Sequence, residues 1–401
     1  LCRRDPESGS GFRLLLDDNG APAFELCSNG SGTVIVSTGK PLLVEKWYVV
    51  AGGYDAEKGE FFVGQTPSLD YPRTDDAGFS SRVAAPGLSQ GETAAAVMIG
   101  AEPARGCPAE AHFNGRIDSP RILSRALAKD EMGELQDPEN DGPAHGDLVA
   151  AWDFSIGIPT DQITDISPNQ LHGRLINLPT RGVPGRKWTG REHNWTKLVD
   201  HYGAIHFHDD DLYDCGWDVD FSLTVPATMP SGLYAVRMHA GDEEYFVPFA
   251  VRLAPGQPTS DIAFLLPTAS YMAYANNRIG IDFSETEIVI GRLIQLNKSD
   301  LFQQEYPELG LSFYDLHNDG SAVYYSSRLR PIINMQPKHM GHLGGVGSNL
   351  WQFNADTHIL AWLEQLGQPF DVITDEDLEA EGRDALAGYR VVVTGTHPEY
   401  Y

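Results

Sequence analysis

Val391-Val392-Val393-Thr394-Gly395-Thr396-His397-Pro398-Glu399-Tyr400-Tyr401 joins an uninterrupted β-branched run to a cluster of titratable, metal-capable side chains. Such a run ending in glycine reads as a buried strand of a parallel sheet, and open α/β sheets hold ligands just past the carboxyl ends of their strands. His397, Glu399 and the two tyrosines fall at that point. The competing reading is an ordinary loop, with Pro398 ending the strand and the tyrosines packing on the next element. Spacing alone leaves both open.

The preceding residues supply the rest of an α/β pattern. Asp261–Leu266 is a continuous apolar strand, and 356–366 is an amphipathic helix with Ile359, Leu360, Leu363 and Leu366 on one face and Gly367 at its C-cap. Phe370–Thr374, a second helix over 378–386 and the strand 389–394 complete a strand, helix, strand, helix, strand series, which implies a doubly wound domain. Some ninety residues separate Leu266 from Asp356, too many for a plain connection, so this stretch reads as an insertion carrying function. Within it, Ser284-x-x-Glu287 has capping-box spacing, which Gly291 weakens as a helix start.

Upstream the texture is different. From Leu1 to about Pro184, β-rich runs such as Thr33–Ser37 and Trp47–Ala51 alternate with Gly, Asp, Asn and Pro turns, the pattern of an antiparallel sandwich. Thr180–Asn194 reads as a linker. Beyond it, Asp220–Pro226 and Gly232–Arg237 alternate like strands of a small immunoglobulin-like sandwich. The expected domains are 1–194, 195–257 and 258–401. His206 and His208 have the spacing that places two imidazoles on one strand face, as in a metal site, but an exposed acidic turn is the preferred reading of His206–Asp211. The same caution holds for His339 and His342.

Composition narrows the function. The 401 residues carry a formal net charge of -27, which repels phosphate backbones and anionic membrane surfaces, so nucleic acid and membrane are not expected as partners. Four cysteines without CxxC spacing point to a reducing cytoplasm rather than a disulfide scaffold. Leu1 in place of Met, together with an α/β series that lacks a successor, reads as an internal section of a longer polypeptide. Neither a Gly-x-Ser-x-Gly elbow nor His-Glu-x-x-His nor a phosphate loop occurs, and Gly345–Asn349 lacks the elbow spacing, so covalent Ser or Cys catalysis has no support. Tyrosines instead gather near strand ends: Tyr271, Tyr274, Tyr314, Tyr324 and Tyr325.

Two family resemblances rest on particular segments. Lys46–Asp55, Phe113–Leu127 and Leu171–Leu175 together resemble the concanavalin-like, laminin-G-type lectin sandwich. That resemblance implies Trp47 and Ile117 in the core, Arg121 and Arg125 straddling a strand and a helical turn, and a packing role in preference to sugar binding. From about Asp261 onward, Thr268–Asn276, Ser312–Pro331 and Gly395–Tyr400 resemble the large (beta) subunit of bacterial N,N-dimethylformamidases.

The second resemblance implies a truncated glutamine-amidotransferase-like α/β domain and one mononuclear ferric iron. Carried onto this sequence, its metal ligands are Tyr274, Tyr314 and Glu399, with Tyr271, Tyr324 and Tyr325 as competing tyrosines. His397 and Glu399 become the catalytic pair. Arg328 and Arg330 can supply charge stabilisation or tie the insertion to the acidic surface, and the second is the preferred reading. The implied reaction is hydrolysis of small N-substituted formamides to formate and amine by metal-activated water, with a small companion subunit in a hetero-oligomer. The alternative function is a carbohydrate-binding lectin-type protein with a non-catalytic α/β scaffold.

Overall fold

The computed structural model describes residues 1–28, 32–69, 76–83, 93–106, 109–135, 145–278, 296–337 and 350–400, with residues 88, 137, 142, 291, 339 and 340 between them. Ser284–Glu287, His342, Gly345–Asn349 and Tyr401 lie outside the described residues. The chain divides into two compact units, Leu1–Asp209 and Asp210–Tyr401. Among the described residues no helix is long and apolar enough to cross a membrane.

The first unit is built of antiparallel sheets whose alternating residues meet in two cores. Cys2–Arg4, Gly11–Leu16, Pro22–Ser28 and Gly32–Ser37 form one sheet, and Tyr48–Asp55, Glu60–Pro67 and Gly78–Val83 form another. Phe24, Leu26 and Val36 of the former pack on Phe61 and Val63 of the latter. Gly52 explains itself here, because a β-carbon would lie 2.7 Å from Phe24 Cβ.

The second core gathers Ala150, Trp152, Phe154, Ile163, Leu175 and Ile205. The 113–127 segment turns a corner beside it. Gly115–Asp118 pairs with Ala204–Phe207, whereas Arg121–Leu123 pairs with Leu148–Asp153 in a different sheet. Ser119, at φ +50°, makes that step. Arg125 then grips Glu131 through two nitrogens, at 2.6 and 2.9 Å, and Asp147 at 2.9 Å. Ile117 packs on the core as expected. Trp47 is only half-buried, which corrects its core reading.

Residues 195–257 do not form a sandwich of their own. Ala204–Phe207 is the middle strand between Thr180–Val183 and Gly115–Asp118, so the start of the expected linker is sheet as well. Gly232–Ala240 and Glu243–Val251 make a two-stranded hairpin, with Gly241 at φ +63° in its turn. Asp220–Pro226 belongs to no ladder among the described residues and is exposed. The strand of 204–207 falls in the first compact unit and the hairpin in the second, so the expected bounds 195–257 do not coincide with a unit.

The second unit holds the parallel sheet. In chain order its elements are β1 (Ile262–Leu266), α1 (Thr268–Ala273), α2 (Lys298–Glu305), α3 (Phe353–Gln365), β2 (Asp371–Thr374), α4 (Asp375–Glu381) and β3 (Val391–Thr394). The strand order is β2-β1-β3, all parallel, with Leu265 between Ile373 and Thr394. Phe264, Leu266 and Val372 meet Phe353, Leu360 and Leu363 of α3 in one core. Leu366 lies past the last turn of α3 and is exposed. The second predicted helix, 378–386, divides into α4 and a 3-10 turn at Gly382–Leu386, because Thr374 caps α4 through Asp377 and Gly382 ends it. β3 is the outermost strand among the described residues, with Val391 and Val392 exposed and Val393 packed on the core.

Candidate functional site

The carboxyl ends of β1 and β3 carry the chemistry, and each side chain there is placed by local backbone bonding. After β1, α1 lasts only six residues before Tyr274 takes its C-cap position. Asn276, at φ +58°, then reverses the chain in the left-handed region that Asn tolerates better than most residues. Its carboxamide donates to the Leu309 and Pro331 carbonyls and accepts from Ile333 N–H, while Asn334 donates to the Tyr274 carbonyl at 2.7 Å. Tyr274 is thus fixed from behind by the 331–334 segment.

Tyr314 is held by a different device. Asp315 accepts from both the backbone N–H and the hydroxyl of Ser312 at 2.8 Å, and Ser312 Oγ accepts from Tyr314 N–H. Past β3, buried Ser270 of α1 accepts from the N–H groups of Glu399 (2.9 Å) and Tyr400 (3.2 Å). Asp356 of α3 accepts from Thr396 N–H at 2.6 Å. Gly395 is required there, since a β-carbon would lie 2.1 Å from Asp356 Oδ2.

These supports converge on Glu399. Tyr274 Oη donates to Glu399 Oε2 at 2.7 Å and Tyr314 Oη to Oε1 at 3.1 Å. His397 Nε2 lies 2.8 Å from Oε2, and the Tyr314 and Tyr400 hydroxyls are 2.6 Å apart. The Tyr274 and Tyr314 rings stack at 4.2 Å, while Trp351 packs 4.9 Å from His397 and 5.9 Å from Tyr274. Tyr274, Tyr314, Glu399 and His397, picked out in the sequence, are therefore brought together in one cluster.

The electrostatics follow from that arrangement. The Tyr274 hydrogen bond, with those of His397 and Tyr314, holds the Glu399 carboxyl below its ordinary range. Burial first, and then the Glu399 carboxylate, push Tyr274 up to about 12, while burial and the hydrogen bonds to Tyr274 and Tyr400 raise Tyr314. The raised phenols stay protonated and donate to the carboxylate. Two phenol oxygens and a carboxylate are hard donors, and three of them within hydrogen-bonding reach form a set that a hard cation can take once the phenols ionise.

The competing tyrosines are placed elsewhere. Tyr271 is buried and donates to Asp356 at 2.5 Å, with its pKa raised by burial and by that carboxylate. Tyr324 and Tyr325 are exposed. Arg330 is buried against the Ser327, Leu309 and Ala275 carbonyls, and burial lowers its pKa to about 10. Arg328 pairs with Glu376. Arg328 thus ties the insertion to an acidic side chain as expected, whereas Arg330 is buried among carbonyls and not on the acidic surface, which corrects its reading. His206 and His208 are buried with their rings 4.2 Å apart, so the exposed-turn reading of that segment is corrected: Ala204–Phe207 is a central strand and covers them.

Sequence reasoning missed Trp351, Ser270 and Asp356. Only Gly395 hinted at Asp356, as a glycine where a strand must let another chain approach.

Comparison with known proteins matches the geometry to a family. Residues 180–401 match the family described as N,N-dimethylformamidase beta subunit-like, C-terminal, and residues 3–132 match the concanavalin A-like lectin/glucanase superfamily. The N,N-dimethylformamidase beta subunit of an Alcaligenes species is 36% identical over 99% of this chain, and that of Paracoccus aminophilus is 36% identical over all of it. The chain covers 54% of each of these relatives, about half their length. Since the first of these matches takes in more than half the chain and includes every residue of the Tyr274–Tyr314–Glu399 cluster, the protein belongs to the N,N-dimethylformamidase beta-subunit-like family.

Proposed function

We propose that this chain carries the metal-binding part of an amide hydrolase that cleaves small N-substituted formamides, of the N,N-dimethylformamide type, to formate and amine. The observation that carries the reading is the division of the Glu399 carboxylate between two tyrosines, one on each oxygen. Tyr274, Tyr314 and Glu399 would hold a single ferric ion, for which phenolate and carboxylate are suitable ligands. When bound, such an ion polarises an amide carbonyl and lowers the pKa of water.

The chain's own side chains supply the rest. His397 Nε2, already bonded to Glu399, can hold a proton beside the site and deliver it to a leaving nitrogen. The Tyr274–Tyr314 stack and Trp351 give the site aromatic walls suited to N-methyl groups. A one-carbon acyl group offers little remote binding energy, so positioning falls to these few contacts.

The relatives' printed names as beta subunits support a companion subunit and a hetero-oligomer here. The β2-β1-β3 sheet supports an amidotransferase-like fold for this unit. Free thiols at Cys2, Cys27 and Cys215 support a cytoplasmic location.

Glu399→Ala tests the reading. The variant should lose iron and the visible absorption of ferric phenolate while keeping its circular dichroism spectrum. Normal iron content in a folded variant would remove Glu399 from the ligand set.

A further inference from the structure

The first turn of α3 leaves a group of buried polar atoms without partners. Gln352 is 6% exposed and Asn354 1% exposed, yet among the described residues neither the nitrogen nor the oxygen of either carboxamide has a hydrogen-bond partner. The indole Nε1 of Trp351 is buried and unpartnered too. Buried polar atoms are nearly always satisfied, and leaving one without a partner is costly. Five such atoms gather in Trp351, Gln352 and Asn354 among the described residues.

Its position ties this group to the Glu399 cluster. The Trp351 ring lies against His397 and Tyr274, and Asp356, from the same turn, holds Thr396. α3 has thirteen residues, long enough to present a positive N-terminal end, and its N-cap residue Gln352 makes no side-chain cap. Trp351 offers one N–H and each carboxamide two, against only two acceptor oxygens. An excess of donors at the positive end of a helix suits a small carboxylate.

We propose that Trp351, Gln352 and Asn354 form a carboxylate subsite that takes the formate released by amide cleavage. The choice of formate rests on the function proposed above; the carboxylate chemistry does not. The subsite would draw the product's anionic oxygens away from the hard-donor cluster, leaving Glu399 and the tyrosines free for the next substrate.

The test is titration of the ¹⁵N-labelled full chain with sodium formate, followed at the indole N–H of Trp351, which Trp351→Phe assigns. A saturable shift is expected. Asn354→Leu and Gln352→Leu should each weaken it about tenfold, roughly the worth of one hydrogen bond to a charged group. Asn354→Asp, nearly isosteric, should abolish it by charge repulsion. Thermal stability should hold or rise in the leucine variants, because an apolar group in place of an unpaired buried amide removes a penalty. Chloride should give no saturable shift.

Absence of a saturable shift in the wild type, or equal formate affinity in all three variants, would overturn the subsite. Loss of formate binding in Glu399→Ala would overturn it as well, by placing the anion at the hard-donor cluster. Saturable formate binding in a protein that turns over no formamide would keep the carboxylate subsite and remove only the amide-cleaving reading.

Discussion

Arg181 in the first unit and Glu399 in the second are both charged groups ringed by hydrogen bonds, with opposite consequences. Arg181 is buried and its guanidinium donates to five backbone carbonyls, those of Phe154, Ile156, Gly157, Thr160 and Gln162. Its two terminal nitrogens satisfy a loop that would otherwise bury bare carbonyls. Glu399 instead accepts from groups that can themselves ionise, and Trp351, which packs on its partners Tyr274 and His397, has a buried indole N–H without a partner among the described residues. One arrangement is closed because its partners are backbone; the other is open because its partners are side chains.

The largest effect should come from breaking the closed arrangement. Arg181→Met leaves those carbonyls unpaired and should destabilise the protein by roughly 3–5 kcal/mol, with no direct effect on iron content. Urea denaturation checks it, and a loss under about 1 kcal/mol would show that the carbonyls find water instead.

Gly395→Ala probes the open arrangement through its support. The new methyl group collides with Asp356 Oδ2, so a cost of about 1–3 kcal/mol is expected together with a fall in kcat as the 396–399 turn shifts. An unchanged melting temperature with full activity would mean that the turn relaxes freely.

A smaller effect is expected from pH at His317. Burial opposes its charged form, but the Asp210 hydrogen bond at 2.6 Å and the charges of Asp210, Asp211 and Asp319 outweigh it, raising the pKa above 6.5. The folded state therefore favours the imidazolium. The stability this contributes is complete below pH 6.5 and is lost as pH rises through the raised value. Asp210→Asn should flatten that slope in denaturation midpoints measured across the same range; an unaltered slope would assign it to another group.

The smallest change should follow Tyr324→Phe or Tyr325→Phe. Both side chains are exposed, so stability should stay within about 0.5 kcal/mol and iron content should not move. Loss of iron in either variant would reopen the ligand assignment, and with it the contrast drawn above.

How much of this was legible in the sequence depended on the range of the interaction. The parallel strands and α3 could be read because their patterns are local: Ile262–Leu266 and Val391–Thr394 as apolar runs, Leu360 and Leu363 by helical spacing. The exposure of Val391 and Val392 could not be, because a strand's place in its sheet depends on strand order, which no local window contains. Asp220–Pro226 shows the same limit from the other side, since its alternation is strand-like but no partner strand among the described residues takes it up. Tyr274, Tyr314 and Glu399 were reachable through segment motifs, not through spacing. Ser270, Asp356 and Trp351 act through contacts across the fold and carry no local signature of a site.

The Tyr274 hydroxyl and the Glu399 carboxylate that accepts from it are separated by 125 positions along the chain. Closing a loop that long is an entropic cost met only once β3 has docked beside β1, so the cluster belongs to the late events of folding. During synthesis, Tyr274 and Tyr314 leave the ribosome well before Glu399 does. If the proposed ion takes all three oxygens, it would be captured by a nearly finished fold rather than template one from the start.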